Sequence, residues 1–212
     1  MYHGVPGGDA GELLAEACQL GTAHPPGYPI FIMVYHMVMK YFPDVETSYL
    51  QMHTPAEKAN AFSCILGAMT CYLISHTTRD YLESSKCKND RMLNFAAAFS
   101  GASFAFCPLT WEYTAGVEVF SLNNLFVSLL LWCTLRVERA RSRTETLVYS
   151  LIGAFMCGLV STIVIFKHVI LSFIYFFSLS VAWESAYHIN FGDCTDSICV
   201  LYSTNSVAPP NS

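Results

Sequence analysis

Five apolar stretches, each near the thickness of a bilayer, follow one another with short polar breaks: 60–78, 92–109, 119–135, 147–166 and 168–183. A helix needs about 20 mostly apolar residues to cross the hydrocarbon core, with roughly 17 to 25 tolerated. The last two stretches are parted only by Lys167 and its neighbours, so they form either a tight helical hairpin or one long broken segment. A further apolar run, 28–42, is shorter, carries His36 and Lys40, and has Pro29 at its start. Its length suits an interfacial or re-entrant helix better than a span. The expected fold class is all-α: a multi-pass transmembrane helical bundle of about five spans plus one interfacial helix.

Composition points the same way. Charged residues make up 13% of the 212-residue chain and hydrophobic residues 53%, where soluble domains run near a quarter charged. Too few charges remain to keep most of the surface in water. Eight of the eleven Lys and Arg fall in two short clusters, Arg79 to Arg91 and Arg136 to Arg143. Cytoplasmic loops retain Lys and Arg, so both clusters are expected on the cytosolic side. The segments 43–59 and 108–118 then face the opposite side, the lumen, as does the Gly-rich start if 28–42 does not cross. The domain plan is a luminal loop region (1–59), a helical bundle (60–187) and a polar tail (188–212). Among nine scattered cysteines, those inside apolar runs act as small hydrophobes. Cys194 and Cys199 lie close together in a polar segment, and their pairing is not readable from spacing.

Three polar segments carry the chemistry. The first, Gly7-Gly8-Asp9-Ala10-Gly11-Glu12, precedes an amphipathic run over 13–20. Paired glycines allow a sharp turn or a close approach to a ligand. Asp9 and Glu12 have two readings: a helix N-cap with its N3 partner, or a carboxylate held at the membrane surface as general base. The second is His24-Pro25-Pro26-Gly27-Tyr28-Pro29, whose prolines fix the backbone and deny it helical hydrogen bonds. His24 is either a structural hydrogen-bonding residue or part of a site. No second His or Cys stands at zinc-ligand spacing. The third runs from Trp111 to Asn124, and places Glu118, Asn123 and Asn124 at the start of an otherwise apolar helix. Polar groups there face a bundle interior or a wet cavity, or hydrogen-bond between helices. Asn60, at the head of its own helix, has the same two readings.

Taken together, the Gly7–Glu12 segment, the His24–Pro29 segment and the Trp111…Glu118-Val119-Phe120-Ser121-Leu122-Asn123-Asn124 run resemble the transmembrane protein 260 family, over roughly residues 6–158. That resemblance implies a GT-C-like fold, residence in the endoplasmic reticulum membrane with the motif loops luminal, and protein O-mannosyltransferase activity. It implies transfer of mannose from a polyprenol-phosphate-linked donor to Ser or Thr hydroxyls on IPT/TIG-type domains of receptor ectodomains. Asp9 matches the first-loop carboxylate expected as catalytic base, with Glu12 beside it. His24, Tyr28, Glu118 and Asn123 match further motif positions, counted here as substrate-binding. Lys58 and Asn60 match an Arg-x-Asn pattern in which Lys replaces Arg, and Lys lacks the planar fork that clamps phosphate.

Against the family pattern, the span before the Gly-Gly-Asp loop, the polar Asn-Gln-His motif after Gly158 and the large luminal C-terminal region are missing. The chain therefore reads as a truncated member. No metal, other cofactor or nucleic acid is expected; lipid bilayer, donor and acceptor are the expected partners. The rival reading is a non-enzymatic multi-pass membrane protein, a transporter piece or assembly subunit. A water-filled path lined by Asn123, Asn124 and His168 would favour it.

Overall fold

The computed structural model describes residues 4, 5, 7–46, 51–84 and 89–163. The fifth apolar stretch, His168, Cys194, Cys199 and the 188–212 tail lie outside them. Seven helices and one small hairpin make up the described part: α1 (Ala10–Gln19), α2 (Pro29–Tyr41), β1 (Val45–Glu46), β2 (Gln51–Met52), α3 (Pro55–Ser84), α4 (Asp90–Ala105), α5 (Pro108–Thr114), α6 (Val119–Glu138) and α7 (Arg143–Ile163). The antiparallel β1–β2 pair is the one departure from an all-helical class among these residues.

Helix α1 follows its amphipathic pattern, burying Ala10, Leu13, Leu14 and Ala17 at successive turns of one face. It stops at Leu20, whose left-handed φ of 54° lets its own N–H and that of Gly21 bond back to the Glu16 carbonyl. A side chain at Gly21 would meet the Glu16 carboxylate, which would have to swing aside. Helix α2 is 13 residues long, about 20 Å at 1.5 Å per residue, short of the roughly 30 Å hydrocarbon core. It buries Phe31, Ile32, Tyr35 and Val38. His36 Nδ1 meets the Ala17 carbonyl of α1 at 2.9 Å, and Tyr35 Oη meets Ser63 Oγ of α3 at 2.7 Å. Phe31 stacks on Tyr35 with ring centres 4.1 Å apart, and Phe62 meets Tyr35 edge-on. This cluster joins α1 and α2 to the long helices through Ala59, Leu66, Leu122 and Leu125.

The long helices form two antiparallel hairpins. In α3–α4, Gly101 lets the backbones touch: a Cβ there would lie 2.9 Å from the Cys71 carbonyl and strike Ser75 Oγ. Close approach at small residues is how apolar helices pack without a hydrophobic driving force. In α6–α7, Trp132 meets Tyr149 edge-on, with centres 5.7 Å apart. The hairpins are tied where α3 and α6 end: Asp80 lies 3.4 Å from Arg136, 3.8 Å from Arg139 and 3.3 Å from His76.

Several boundaries differ from the sequence reading. Helix α3 spans 30 residues rather than 60–78. It starts early because Thr54 and Glu57 form a capping box: Glu57 N–H donates to Thr54 Oγ1, while Glu57 Oε2 accepts from the N–H groups of His53 and Thr54. The 92–109 stretch breaks after Ala105 and turns by 65° into α5, which Pro108 initiates, so 108–114 is helix rather than loop. Among the described helices, α6 alone is long and apolar enough by itself to cross a membrane; α4 and α5 qualify only as a bent pair. Large apolar side chains face outward along α4 and α7, with Phe95, Phe99, Leu151 and Phe155 each more than 60% exposed.

Candidate active site

Five of the residues singled out by sequence converge at the heads of α1, α2 and α6. Gly8, at φ +73°, turns the chain so that Asp9 stands at the start of α1. That φ is left-handed, which glycine adopts without a Cβ penalty. Asp9 occupies the N-cap position, yet its side chain makes no capping hydrogen bond and is 67% exposed. Glu12 does stand at N3, but its carboxylate goes to His24 rather than back to Asp9. The capping-box reading of this pair therefore fails on geometry.

Glu12 turns instead to His24. Glu12 Oε1 accepts the His24 backbone N–H at 2.7 Å, and Oε2 lies 3.1 Å from His24 Nδ1. One carboxylate thus holds both the backbone and the ring of the following loop. The His24 N–H bond, then the ring bond, lowers the Glu12 pKa below its ordinary value. With Nδ1 donating to Glu12, Nε2 is left as an acceptor. It faces Tyr28 Oη at 3.4 Å and Asp9 Oδ2 at 3.9 Å.

Tyr28 sits at φ 44°, directly after Gly27 at φ 89° and before the proline that opens α2. A left-handed backbone is uncommon for a bulky residue and costs on the order of 1–3 kcal/mol. Here that strain holds the phenol edge-on to the His24 ring, 5.4 Å between centres. Burial first, then the charges of Asp9, Glu118 and Glu12, raises the Tyr28 pKa, so its hydroxyl stays a donor.

Glu118, half-buried before α6, closes the group from the other side. A Cβ on Gly8 would lie in ordinary contact with Glu118 Oε1, at 3.6 Å, which sets this carboxyl directly beside the Gly8–Asp9 turn. Burial, then the charge of Asp9, raises the Glu118 pKa, with His24 opposing. An exposed carboxyl therefore stands beside a half-buried one, so the two acids meet different environments.

The remaining site residues lie differently. Lys58 Nζ forms an ion pair with Asp44 Oδ1 at 2.7 Å, and this partner lowers the Asp44 pKa. Asn60 is fully buried and donates from Nδ2 to the Gly4 carbonyl at 2.9 Å, tethering the strand of chain that leads into Gly7-Gly8-Asp9. Its role in this structure is to position that loop, which sequence spacing could not disclose. Asn123 has a buried Oδ1 with no hydrogen-bond partner among the described residues. Among the described residues no three His, Cys, Asp or Glu side chains are arranged to share a metal ion.

The pattern that carries these residues is a known one. The family described as the Protein O-mannosyl-transferase TMEM260 N-terminal domain matches residues 9–186. The chain belongs to this family. It is 36% identical over 155 residues to the mouse Protein O-mannosyl-transferase TMEM260, covering 73% of the chain and 20% of that relative. It is 34% identical over 141 residues to the Dictyostelium discoideum Protein O-mannosyl-transferase tmem260, covering 66% of the chain and 15% of that relative. The chain thus spans a fifth or less of the length of these relatives. No solved structure matches it.

Proposed function

We propose that this chain carries the catalytic-loop portion of a membrane O-mannosyltransferase that moves mannose from a polyprenol-phosphate donor to Ser or Thr hydroxyls of IPT/TIG-type receptor ectodomains. The observation that carries the reading is the convergence of Asp9, Glu12, His24, Tyr28 and Glu118, from three distant segments, at one end of an apolar helical bundle. Both relatives are named for the same activity.

In the reaction the acceptor hydroxyl oxygen bonds to the anomeric carbon, the bond from that carbon to the phosphate oxygen breaks, and the polyprenyl phosphate leaves with the electron pair. The hydroxyl proton must go to a base as the new bond forms. Asp9, the exposed carboxylate on the turn, takes that role. Glu12, clamped on His24, fixes the imidazole tautomer, and Tyr28 donates to it. Glu118, whose pKa burial raises, stands on the other side of the Asp9 turn. Lys58 is held by Asp44, so a donor phosphate reaching it would compete with that pair. The apolar outer faces of α4 and α7 support a membrane setting, and the family resemblance makes that membrane the endoplasmic reticulum in this reading. The Arg clusters at the far ends of α3 and α6 favour a luminal site in this reading. Residues 1–59 then act as the catalytic loop region and 60–187 as the bundle.

The test is transfer of labelled mannose from a polyprenyl-phosphate donor to a purified IPT/TIG domain by the protein reconstituted in vesicles. Asp9→Asn is expected to cut the rate by about 10²–10⁴-fold, the usual contribution of a general base. Undiminished turnover in that variant would remove Asp9 from the mechanism.

A further inference from the structure

Outside the carboxylate cluster, a half-open cleft lies between α3 and α5. Where α4 breaks after Ala105, the 65° turn swings α5 back against α3. Gly67 permits the contact: a Cβ there would lie 2.8 Å from Thr114 Cγ2. Cys64 Sγ donates to the Thr114 carbonyl at 3.4 Å, securing the last turn of α5. Between the wedge and α3 lies a space of about 270 Å³, lined by Cys64, Gly67, Ala68, Cys71, Trp111 and Thr114, with Ala105 closing the end. The four α3 residues follow i, i+3, i+4, i+7 spacing, so they form one continuous stripe of small side chains.

Three features define what fits. The lining is small and apolar apart from Thr110 and Thr114, and both Thr114 hydroxyl contacts go to backbone carbonyls of its own helix, Thr110 and Trp111. A sugar or peptide would find few partners for its polar groups there. Trp111 in the lining is exposed, and Ile65, Met69 and Tyr72 of α3 and Phe106 before α5 are exposed apolar side chains adjacent in sequence to lining residues, so the surface around the cleft is apolar. The cleft also runs to Thr114 and Ala115, which lead within three residues to Glu118 of the carboxylate cluster.

We propose that this α3–α5 cleft seats the phosphate-proximal part of the prenyl chain of a polyprenyl-phosphate lipid, and so aligns its head group with Glu118. The stripe from Cys64 to Cys71 covers about 10 Å of α3, enough for the start of such a chain and not for its length. This rests on the mannosyltransferase reading for the head group's fate, but seating the chain requires no sugar transfer.

The experiment uses a prenyl phosphate without mannose, bearing a diazirine on its first isoprene units, photolysed with the reconstituted protein and mapped by peptide mass spectrometry. Adducts are expected on residues 64–71 and on α5, reduced at least about tenfold by excess unlabelled polyprenyl phosphate. Ala68→Trp, at the exposed mouth, is expected to lower them as much, since excluding even two chain carbons from burial costs about a factor of ten. Ala105→Leu, filling the cleft from α4, provides an independent variant should Ala68→Trp fail to fold. Adducts spread evenly over Phe95, Phe99, Leu151 and Phe155, without competition, would mark ordinary lipid contact and overturn the proposal. Mapped, competable adducts with no mannose transfer would overturn only the enzymatic reading. Transfer that needs Asp9 but ignores both filling variants would overturn only the cleft.

Discussion

Asn60→Ala isolates the positioning role that the structure gives this residue. Its Nδ2 holds the Gly4 carbonyl at 2.9 Å from a fully buried position, and that segment lays Val5 over α1, where a Cβ on Gly11 would meet Val5 Cγ1 at 3.6 Å. Removing the amide deletes the part-buried hydrogen bond that holds the Gly4 carbonyl, a loss of about 1–2 kcal/mol. If the loss falls on local release of the 4–8 segment, the open population rises by a factor of about 5–30. The assay is alkylation of a reporter thiol, Gly11→Cys, whose side chain would lie beneath Val5, read by peptide mapping so that native cysteines do not interfere. Its labelling should accelerate by that factor in the Asn60→Ala background, while labelling of Cys133, buried between α6 and α7, stays constant. Mannose transfer should fall in parallel, and a donor concentration series should show the loss in kcat rather than in KM alone. Unchanged labelling at residue 11 together with a raised KM would refute the tether and make Asn60 a donor-binding group instead.

Other changes test the scaffold and the clamp. Tyr35→Phe should cost about 1 kcal/mol, because it deletes only the Ser63 hydrogen bond of a fully buried ring; Tyr35→Ala should cost about 3–5 kcal/mol through the cavity left beside Phe31 and Phe62, both read as thermal unfolding in detergent. Gly101→Leu should destabilise by about 1–3 kcal/mol, since its Cβ would press on the Cys71 carbonyl, which cannot swing aside; an unshifted melting temperature would argue against this α3–α4 contact. The Glu12–His24 clamp sets a pH dependence. A carboxylate whose folded pKa lies below its ordinary 4.5 favours the clamped state above that value and loses the contribution as pH falls through the lower folded value. Protease cleavage within 20–28 should therefore rise on acidification below about pH 4.5, and Glu12→Gln should show no such acid-dependent rise.

The parts of this architecture that could be read from sequence are those encoded by local repetition. Leu13, Leu14 and Ala17 mark the buried face of α1, and the 119–135 run becomes α6 with an error of a few residues at its end. The three motif segments were recognisable as a set, and the fold brings Asp9, Glu12, His24, Tyr28 and Glu118 together. What local pattern could not tell is which partner each polar group takes. Asp9 and Glu12 have capping-box spacing, but Glu12 gains two bonds from His24 that Asp9 could not offer. The capping box that does form, Thr54 with Glu57, lies in Thr54-Pro55-Ala56-Glu57 ahead of the apolar run, so hydropathy alone starts α3 too late. Lys58 paired with Asp44 and Asn60 bonded to Gly4 depend on chain segments brought together only by the fold. The break at Ala105 was obscured because apolar residues continue on both sides of Cys107-Pro108.

The two polar ends of α3 bear on where this bundle sits. Asn60 anchors the loop segment at one end and Asp80 gathers Arg136 and Arg139 at the other. At 1.5 Å per residue these anchors lie about 30 Å apart, the thickness of a hydrocarbon core. Glu118 and Arg136 bracket α6 over nearly the same distance, so both helices keep their charged partners at matching depths. Asp80 also explains how two arginines can stay beside packed helices: each has an acidic partner, and an uncompensated charge there would be strongly unfavourable. Between these charged ends the polar groups on the helices, such as Thr70 and Ser128, bond back to carbonyls of their own helix, while Phe95, Phe99, Leu151 and Phe155 face outward. An apolar solvent around the middle of the bundle would require that arrangement. Under the proposed function, catalytic candidates on short loops fixed directly to helix heads suit a donor held by its tail in a bilayer.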